Sequence, residues 1–177
     1  LHAPTNPAHE LLVEQIARKE GCTDIALSHQ ISPETGAVGR GDTTVADAYL
    51  TPLLRRSVEQ IASLAPKVRF MQSSGGLADH RHFMGKDAIL SGPAGGVVAV
   101  AHLAQRAGFD QVIGLDMGGT STDVCRWDGS FHRQYETVVS DVRIRAPMLD
   151  VVTVAAGGGS ILSYRDGRFT VGPESAG

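Results

Sequence analysis

The feature that most constrains this fold is a segment in which two apolar, strand-like stretches are joined by a very short glycine-containing turn. Its centre reads Gly114-Leu115-Asp116-Met117-Gly118-Gly119-Thr120-Ser121-Thr122-Asp123-Val124. Strands joined by so few residues must pair antiparallel, because a parallel pair needs a long crossover. The sequence therefore predicts a β-hairpin with strands from Val112 to Asp116 and from Ser121 to Trp127.

The turn of this hairpin has the composition of a phosphate site. Gly118 and Gly119 permit a positive φ and a close approach of backbone N–H groups to phosphate oxygens. Three consecutive hydroxyl residues, 120 to 122, add donors, and Asp116 is placed to hold Mg²⁺ through water. A plain hairpin needs neither three hydroxyl groups nor two flanking carboxylates, so the pattern favours a phosphate clamp over an ordinary turn.

The sequence does not match two other common phosphate-binding motifs. A Walker A loop requires a glycine five residues before Gly-Lys, and the chain has His80 at that distance from Gly85-Lys86. The run from Gly157 to Ser160 is not a dinucleotide fingerprint, because Leu162 stands where a further glycine is needed. The sequence thus predicts neither a P-loop nor a Rossmann site.

Composition excludes several other classes of function. The 16 basic and 19 acidic residues give a net charge of −3, with no basic cluster of the kind that binds nucleic acid or anionic membranes. Cys22 and Cys125 form neither a disulfide framework nor a cysteine zinc site. No apolar run approaches the length of a membrane span. We expect a cytoplasmic globular protein with no nucleic-acid or membrane partner.

Helices are predicted at three places. They cover residues 7 to 20, a segment that begins at Thr43 or Thr44 and ends before Pro66, and residues 91 to 107. The last should pack on the hairpin sheet through Val97, Val100 and Ala101, with Gly95 or Gly96 allowing a close approach. The turn-rich segment 29–42 is expected to be a loop or an internal boundary.

Strands are predicted from Asp24 to Ser28 and from Lys67 to Gln72, and then throughout the second half. There a meander is expected, with hairpin turns at Asp128-Gly129 and Asp166-Gly167. Serines 73 and 74, which precede a glycine pair, fit a pocket lining or a simple turn equally well.

Several segments, taken in order, resemble the hydantoinase A and 5-oxoprolinase family along essentially the whole chain. They are Ser28 to Glu34, Met71 to Leu77, Ser91 to Val97, Asp116 to Asp123, Ala155 to Ser160 and Gly172 to Gly177. The segment Ala146 to Asp150, with Thr153 to Ala156, is more similar to the 5-oxoprolinase branch than to N-methylhydantoinases or acetone carboxylase subunits.

The resemblance implies an α/β fold of the actin-like ATPase (ribonuclease H-like) kind. The chain would be the second lobe, with its antiparallel β-hairpin phosphate loop, plus part of the preceding domain. Residues 1–42 would end that N-terminal region, and residues 43–177 would form an incomplete nucleotide-binding lobe. Since this superfamily grips ATP between two such hairpins and only one is present, we expect the chain to be a piece of a longer protein and inactive alone.

The implied activity is ATP-dependent opening of 5-oxo-L-proline to L-glutamate, with Mg²⁺ neutralising the transferred phosphoryl group. Asp116 and Asp123 would be the catalytic carboxylates, and Asp116 would hold Mg²⁺ through water. The residues implied to bind nucleotide are Gly118, Gly119, Thr120, Ser121 and Thr122 at the phosphates, and Gly157, Gly158, Gly159 and Ser160 near the adenosine. Val152 departs from the family, because relatives often carry a polar residue there.

The implied partners are a small cyclic amide and either the remainder of the same polypeptide or a hydantoinase B-like subunit. Two alternatives stay open: an N-methylhydantoinase or acetone carboxylase-type subunit, and a non-catalytic module that packs against other domains. Four further positions favour structural roles. His80 and His82 fit a solvated loop, Cys125 a small core residue and His29 a hydrogen-bonded structural histidine.

Overall fold

The computed structural model describes residues 2–139 and 141–176, and combines α-helices with antiparallel sheets. The chain divides into two compact units. The first comprises Leu1–Ser91 and Gln134–Met148, and the second comprises Gly92–Arg133 and Leu149–Gly177. In the described part of the chain, no helix combines the length and the apolar character that a membrane crossing requires.

The helices and strands follow one another along the chain. The helices are α1 (Ala8–Lys19), α2 (Ser28–Ile31), α3 (Ala37–Ala62), α4 (Gly85–Ala88) and α5 (Ser91–Ala107), with a 3₁₀ turn at His80–His82. The strands are β1 (Arg69–Met71), β2 (Leu77–Asp79), β3 (Val112–Met117), β4 (Thr122–Trp127), β5 (Arg133–Gln134), β6 (Thr137–Val139), β7 (Val142–Ile144), β8 (Met148–Leu149), β9 (Val152–Val154), β10 (Ser160–Arg165) and β11 (Arg168–Ser175).

The first unit contains α1 to α4 and two small antiparallel pairs, β1–β2 and β6–β7. Helix α1 confirms the helix predicted over residues 7 to 20, and the amide of Ala8 donates to Asn6 Oδ1 at 3.2 Å. The short strand β1 lies inside the strand predicted from Lys67 to Gln72.

Helix α2 extends to Ile31 and helix α3 begins at Ala37, so the prediction of a loop throughout 29–42 is wrong for its first and last residues. Thr43 and Thr44 do not cap the helix. Their hydroxyls donate to carbonyls one turn back, at 2.9 Å to Gly39 and 2.7 Å to Arg40. Threonine hydroxyls can make such bonds inside a helix, so a threonine does not by itself mark where the helix starts. The predicted domain boundary after residue 42 falls inside α3 and stays a prediction.

The strand predicted from Asp24 to Ser28 does not form, because residues 22–27 pair with no other strand and α2 starts at Ser28. Sequence preference had indicated an extended backbone, and Leu27 is indeed extended at φ −101° and ψ 121°. A strand also needs a partner that supplies hydrogen bonds, which local preference cannot report.

The second unit is built on the sheet β3–β4–β9, in which both pairs are antiparallel. The predicted meander and its hairpin turn at Asp128-Gly129 are wrong at this point, because β4 takes β9 rather than the next strand, β5, as its second neighbour. The hairpin at Asp166-Gly167 is confirmed between β10 and β11. Asp166 at φ 52° and Gly167 at φ 77° both have the positive φ that a tight two-residue turn uses.

Helix α5 matches its predicted bounds and packs on this sheet. Ala94 and Val97 pack with Leu149, while Ala101 and Ala104 pack with Trp127. The helix ends at Gly108, whose φ of 77° lets the amide of Phe109 donate to Ala104 O at 2.9 Å.

The closest approach to the helix is made by a glycine of the strand and not by Gly96 of the helix. A Cβ at Gly114 would lie 2.6 Å from Val100 Cγ2 and 2.7 Å from Cys125 Sγ, closer than real contacts allow. At Gly96 the nearest atom, Asp116 Oδ2, would be 4.0 Å away. The helix is therefore seated against the backbone of β3 at Gly114.

Candidate functional site

The predicted hairpin is confirmed. Strands β3 and β4 pair in antiparallel register from Val112 opposite Trp127 to Met117 opposite Thr122. The turn between them, residues 118–121, is closed by the amide of Gly118, which donates to Ser121 O at 2.9 Å. Neither Gly118 nor Gly119 has a positive φ. The turn therefore does not use the positive φ predicted for these two glycines.

The register places the two carboxylates of the hairpin directly opposite each other. Asp116 pairs with Asp123 across the strands, so both side chains project from the same face of the sheet. Thr153 on β9 shares that face, and its hydroxyl donates to Asp123 Oδ1 at 2.7 Å. Like charges opposite one another are unfavourable in a sheet, so this pair favours a cation.

A small cleft of about 40 Å³ between α5 and the sheet is lined by both carboxylates, together with Pro93 and Gly96. That volume accommodates one water molecule or one small ion. Carboxylate oxygens are the ligand type that Mg²⁺ prefers, and Mg²⁺ commonly takes one or two carboxylates and completes its shell with water and phosphate oxygens. The described residues contain no group of three or more His, Cys, Asp and Glu placed to hold a metal, so the protein ligands here are the two carboxylates alone.

The three hydroxyl residues of the turn divide into two kinds. Among the described residues, the hydroxyls of Thr120 and Ser121 make no hydrogen bond to any protein group, and Thr120 is exposed. Thr122 is buried, and its hydroxyl donates to Ala156 O at 2.6 Å. Two of the three hydroxyl protons are therefore available to a ligand, and the third supports the fold.

The second glycine segment lies directly on this turn. The amide of Gly158 donates to Gly118 O at 2.9 Å, and the amide of Gly159 donates to Gly119 O at 2.7 Å. From the sequence, the two segments are expected to be separate parts of a nucleotide site. The signal that joins them is their shared lack of side chains, which lets two backbones reach hydrogen-bonding distance.

Two other residues near the turn have structural explanations. Burial raises the pKa of the Cys125 thiol, and the charge of Asp123 adds to the effect, which fits a packed core residue rather than a nucleophile. Val152 pairs opposite Val124, one residue from the Asp123–Thr153 pair, so its side chain projects from the other face of the sheet. A polar role at position 152 would therefore act away from the carboxylates.

The polar positions singled out in the first unit are used by the fold. His29 Nδ1 lies 2.8 Å from Glu10 Oε2. Ser73 is buried; its hydroxyl donates to Asp87 O at 2.8 Å and accepts the Leu90 amide at 3.0 Å. These contacts favour the turn interpretation for the serine segment. The predicted roles of the hairpin residues and of residues 157–160 in nucleotide binding stay predictions.

Known proteins resemble this chain along its whole length. It is 46% identical to 5-oxoprolinase of Saccharomyces cerevisiae over 99% of its residues, and 45% identical to 5-oxoprolinase 1 of Arabidopsis thaliana over 100%. In each case it covers 14% of the relative's own length.

A solved structure gives the same picture. The chain superposes on the crystal structure of ATP-dependent caprolactamase from Pseudomonas jessenii with a TM-score of 0.79 and 37% identity, over 99% of this chain and 27% of that one. The family model described as Hydantoinase/oxoprolinase matches residues 40–177. A hairpin with an open hydroxyl turn beside paired carboxylates thus lies inside the matched region, and the chain belongs to the hydantoinase/oxoprolinase family.

Proposed function

We propose that the protein to which this chain contributes hydrolyses a cyclic amide at the expense of ATP, and that the second unit supplies one of its phosphate-binding turns. The observation that carries the proposal is the turn 118–121. Its hydroxyl groups at Thr120 and Ser121 have no hydrogen-bonding partner in the part of the chain that the structure describes, and the turn stands beside the carboxylate pair Asp116 and Asp123. Free hydroxyl donors next to two facing carboxylates suit a phosphate accompanied by a divalent cation.

The roles follow from the positions of the groups. The hydroxyls of Thr120 and Ser121 would donate to phosphate oxygens. Asp116 and Asp123 would orient the water shell of Mg²⁺, with Thr153 holding one oxygen of Asp123 in place through its 2.7 Å hydrogen bond. ATP with Mg²⁺ supplies the activated phosphoryl group that makes an unreactive amide carbonyl susceptible to water.

For the substrate we propose 5-oxo-L-proline, the lactam of L-glutamate. Support comes from the 45% and 46% identity to 5-oxoprolinases over essentially all of the chain. A second candidate is a larger lactam such as caprolactam, which is favoured by the 37% identity and TM-score of 0.79 to a caprolactamase structure. The same turn would serve either substrate, because it handles the nucleotide.

We further propose that this unit is the second lobe of an actin-like ATPase fold. Its turn would then need an opposing phosphate-binding surface, supplied by the rest of the polypeptide or by a hydantoinase B-like subunit. The small share of the relatives' length that this chain covers, 14%, leaves ample sequence for such a surface.

The test is lactam-dependent ATP hydrolysis by the intact protein. Phosphate release and the ring-opened product are measured with 5-oxo-L-proline, with caprolactam and with an N-methylhydantoin, each against a lactam-free control. We expect 5-oxo-L-proline to give the highest kcat/KM, with one phosphate released per glutamate formed. Preference for caprolactam supports the second candidate. Absence of turnover with every cyclic amide would favour a non-catalytic module.

A further inference from the structure

The backbone of the glycine segment 157–160 leaves no amide for a ligand. Gly157 N–H donates to Ser160 Oγ at 2.9 Å, and Ser160 N–H donates back to Gly157 O at 3.0 Å. The two amides between them donate to carbonyls of the turn 118–121, at 2.9 and 2.7 Å. Glycine-rich loops bind phosphates chiefly through free backbone N–H groups. In this segment all four are already engaged.

Steric contact explains why residue 157 is a glycine. A Cβ at that position would lie 2.6 Å from both the carbonyl carbon and the oxygen of Gly119, and 2.7 Å from Gly118 O. These are backbone atoms, which cannot swing aside as a flexible side chain does. At the next residue, Gly158, the nearest atom to an added Cβ is Gly118 O at 3.8 Å, an ordinary contact. Two adjacent glycines thus differ sharply in their tolerance of a methyl group.

The segment is also held from the side away from the turn. Ala176 N–H donates to Gly159 O at 2.7 Å, and Ser175 Oγ donates to the same oxygen at 3.2 Å. At its start, the buried Thr122 hydroxyl donates to Ala156 O at 2.6 Å. Hydrogen bonds from the regions of β4 and β11 therefore hold both ends of the segment. The segment can thus act as a rigid support for the turn 118–121.

We infer that residues 157–160 form a positioning element that sets the conformation of the turn 118–121, and that they act on the nucleotide through that turn rather than by touching it. The inference rests on the proposed function, because it assumes that the turn binds phosphate. In this inference, the missing side chain of Gly157 allows the segment 157–160 to contact the backbone of Gly118 and Gly119. A Cβ at residue 157 would displace the turn 118–121 while leaving the hydroxyl donors of that turn unchanged.

The test compares Gly157→Ala with Gly158→Ala in the intact protein, using ADP and inorganic pyrophosphate as competitive inhibitors of ATP hydrolysis. A misplacement of about 1 Å at a binding group commonly costs up to about 100-fold, so we expect Gly157→Ala to weaken ADP by about tenfold or more. Gly158→Ala should weaken ADP much less. Pyrophosphate, which lacks adenosine, should lose as much affinity as ADP in Gly157→Ala.

Three results would overturn the inference while leaving the proposed function intact. They are equal effects of the two alanine variants, no effect of Gly157→Ala, and weaker ADP with unchanged pyrophosphate, which would indicate direct contact with adenosine. If Gly157→Ala does not fold, Ser160→Ala replaces it, because it removes only the acceptor of the Gly157 amide. The expected order is then the same, with smaller changes. A wild-type protein that binds no nucleotide would instead contradict the proposed function.

Discussion

Polar side chains are used in opposite ways in the two units of this chain. In the first unit, Thr43, Asp47 and Ser73 are at most 3% exposed, and each is hydrogen-bonded to backbone groups. In the second unit, Asp116 and Thr120 are exposed and have no hydrogen-bonding partner among the described residues. At these positions aspartate and threonine thus hold backbone in the first unit and stand open to solvent in the second.

The difference distinguishes polar residues that support the fold from polar residues that are candidates for a functional site. A buried polar group must find a partner, because leaving it unpaired costs about 1–3 kcal/mol. Exposed groups carry no such requirement, but two like charges directly opposite each other in a sheet are unfavourable, so the fold alone does not explain the carboxylate pair of the second unit. Chemistry is therefore expected there, while the polar residues of the first unit are expected to affect stability.

The largest expected effect is at the carboxylate pair. In the intact protein, Asp116→Asn should lower kcat for lactam-dependent ATP hydrolysis by about 100-fold or more, since losing one charge-stabilising group commonly costs that much. The amide keeps the shape of the side chain, so the melting temperature should stay that of the wild type. Wild-type rates in this variant would contradict the assignment and favour a non-catalytic module.

In the first unit the matching carboxylate should behave in the opposite way. Asp47 Oδ1 accepts the Lys86 amide at 2.9 Å, at the start of α4. Asp47→Ala should speed amide hydrogen exchange in residues 84–90 by about 10- to 100-fold, the equivalent of about 1–3 kcal/mol. Asp47→Asn retains an acceptor and serves as the matched control. A loss of kcat at unchanged exchange would break the comparison between the units.

A smaller effect is expected at the open turn. Thr120→Val removes a free hydroxyl and keeps the shape of the side chain, so KM for ATP should rise by about tenfold, the range of one hydrogen bond to a charged group. Thr120→Ser should restore the wild-type value. Hydrogen exchange in β3 and β4 should not change in either variant. Faster exchange there would mean that Thr120 supports the fold.

The smallest effect concerns thiol reactivity. Burial raises the pKa of Cys125, which leaves less thiolate at neutral pH, whereas Cys22 is exposed. Alkylation of the native protein near pH 7.5 should modify Cys22 first and Cys125 only slowly, as followed by peptide mass spectrometry. Denaturant should remove most of the difference. Rapid native labelling of Cys125 would contradict its place between the sheet and α5.

The sequence by itself determined the local elements near the site. The hairpin of β3 and β4 follows from two apolar stretches and a turn too short for any other connection, and α5 follows from its helical spacing and terminal glycine. These features depend on neighbours within a few residues, which is why a pattern rule finds them. The candidate carboxylates and hydroxyls were visible for the same reason.

Only the tertiary structure decided which distant parts of the chain meet. It placed β9 beside β4, used the Thr122 hydroxyl to hold Ala156, and brought residues 157–160 against the turn, in contacts that join positions 28 to 40 residues apart. It also placed a close approach to α5 at Gly114 of β3 rather than at Gly96 of the helix. Such pairings depend on the packing of whole elements. A position requires glycine when distant atoms approach it closely, and the residues next to it in the sequence do not reveal which atoms those are.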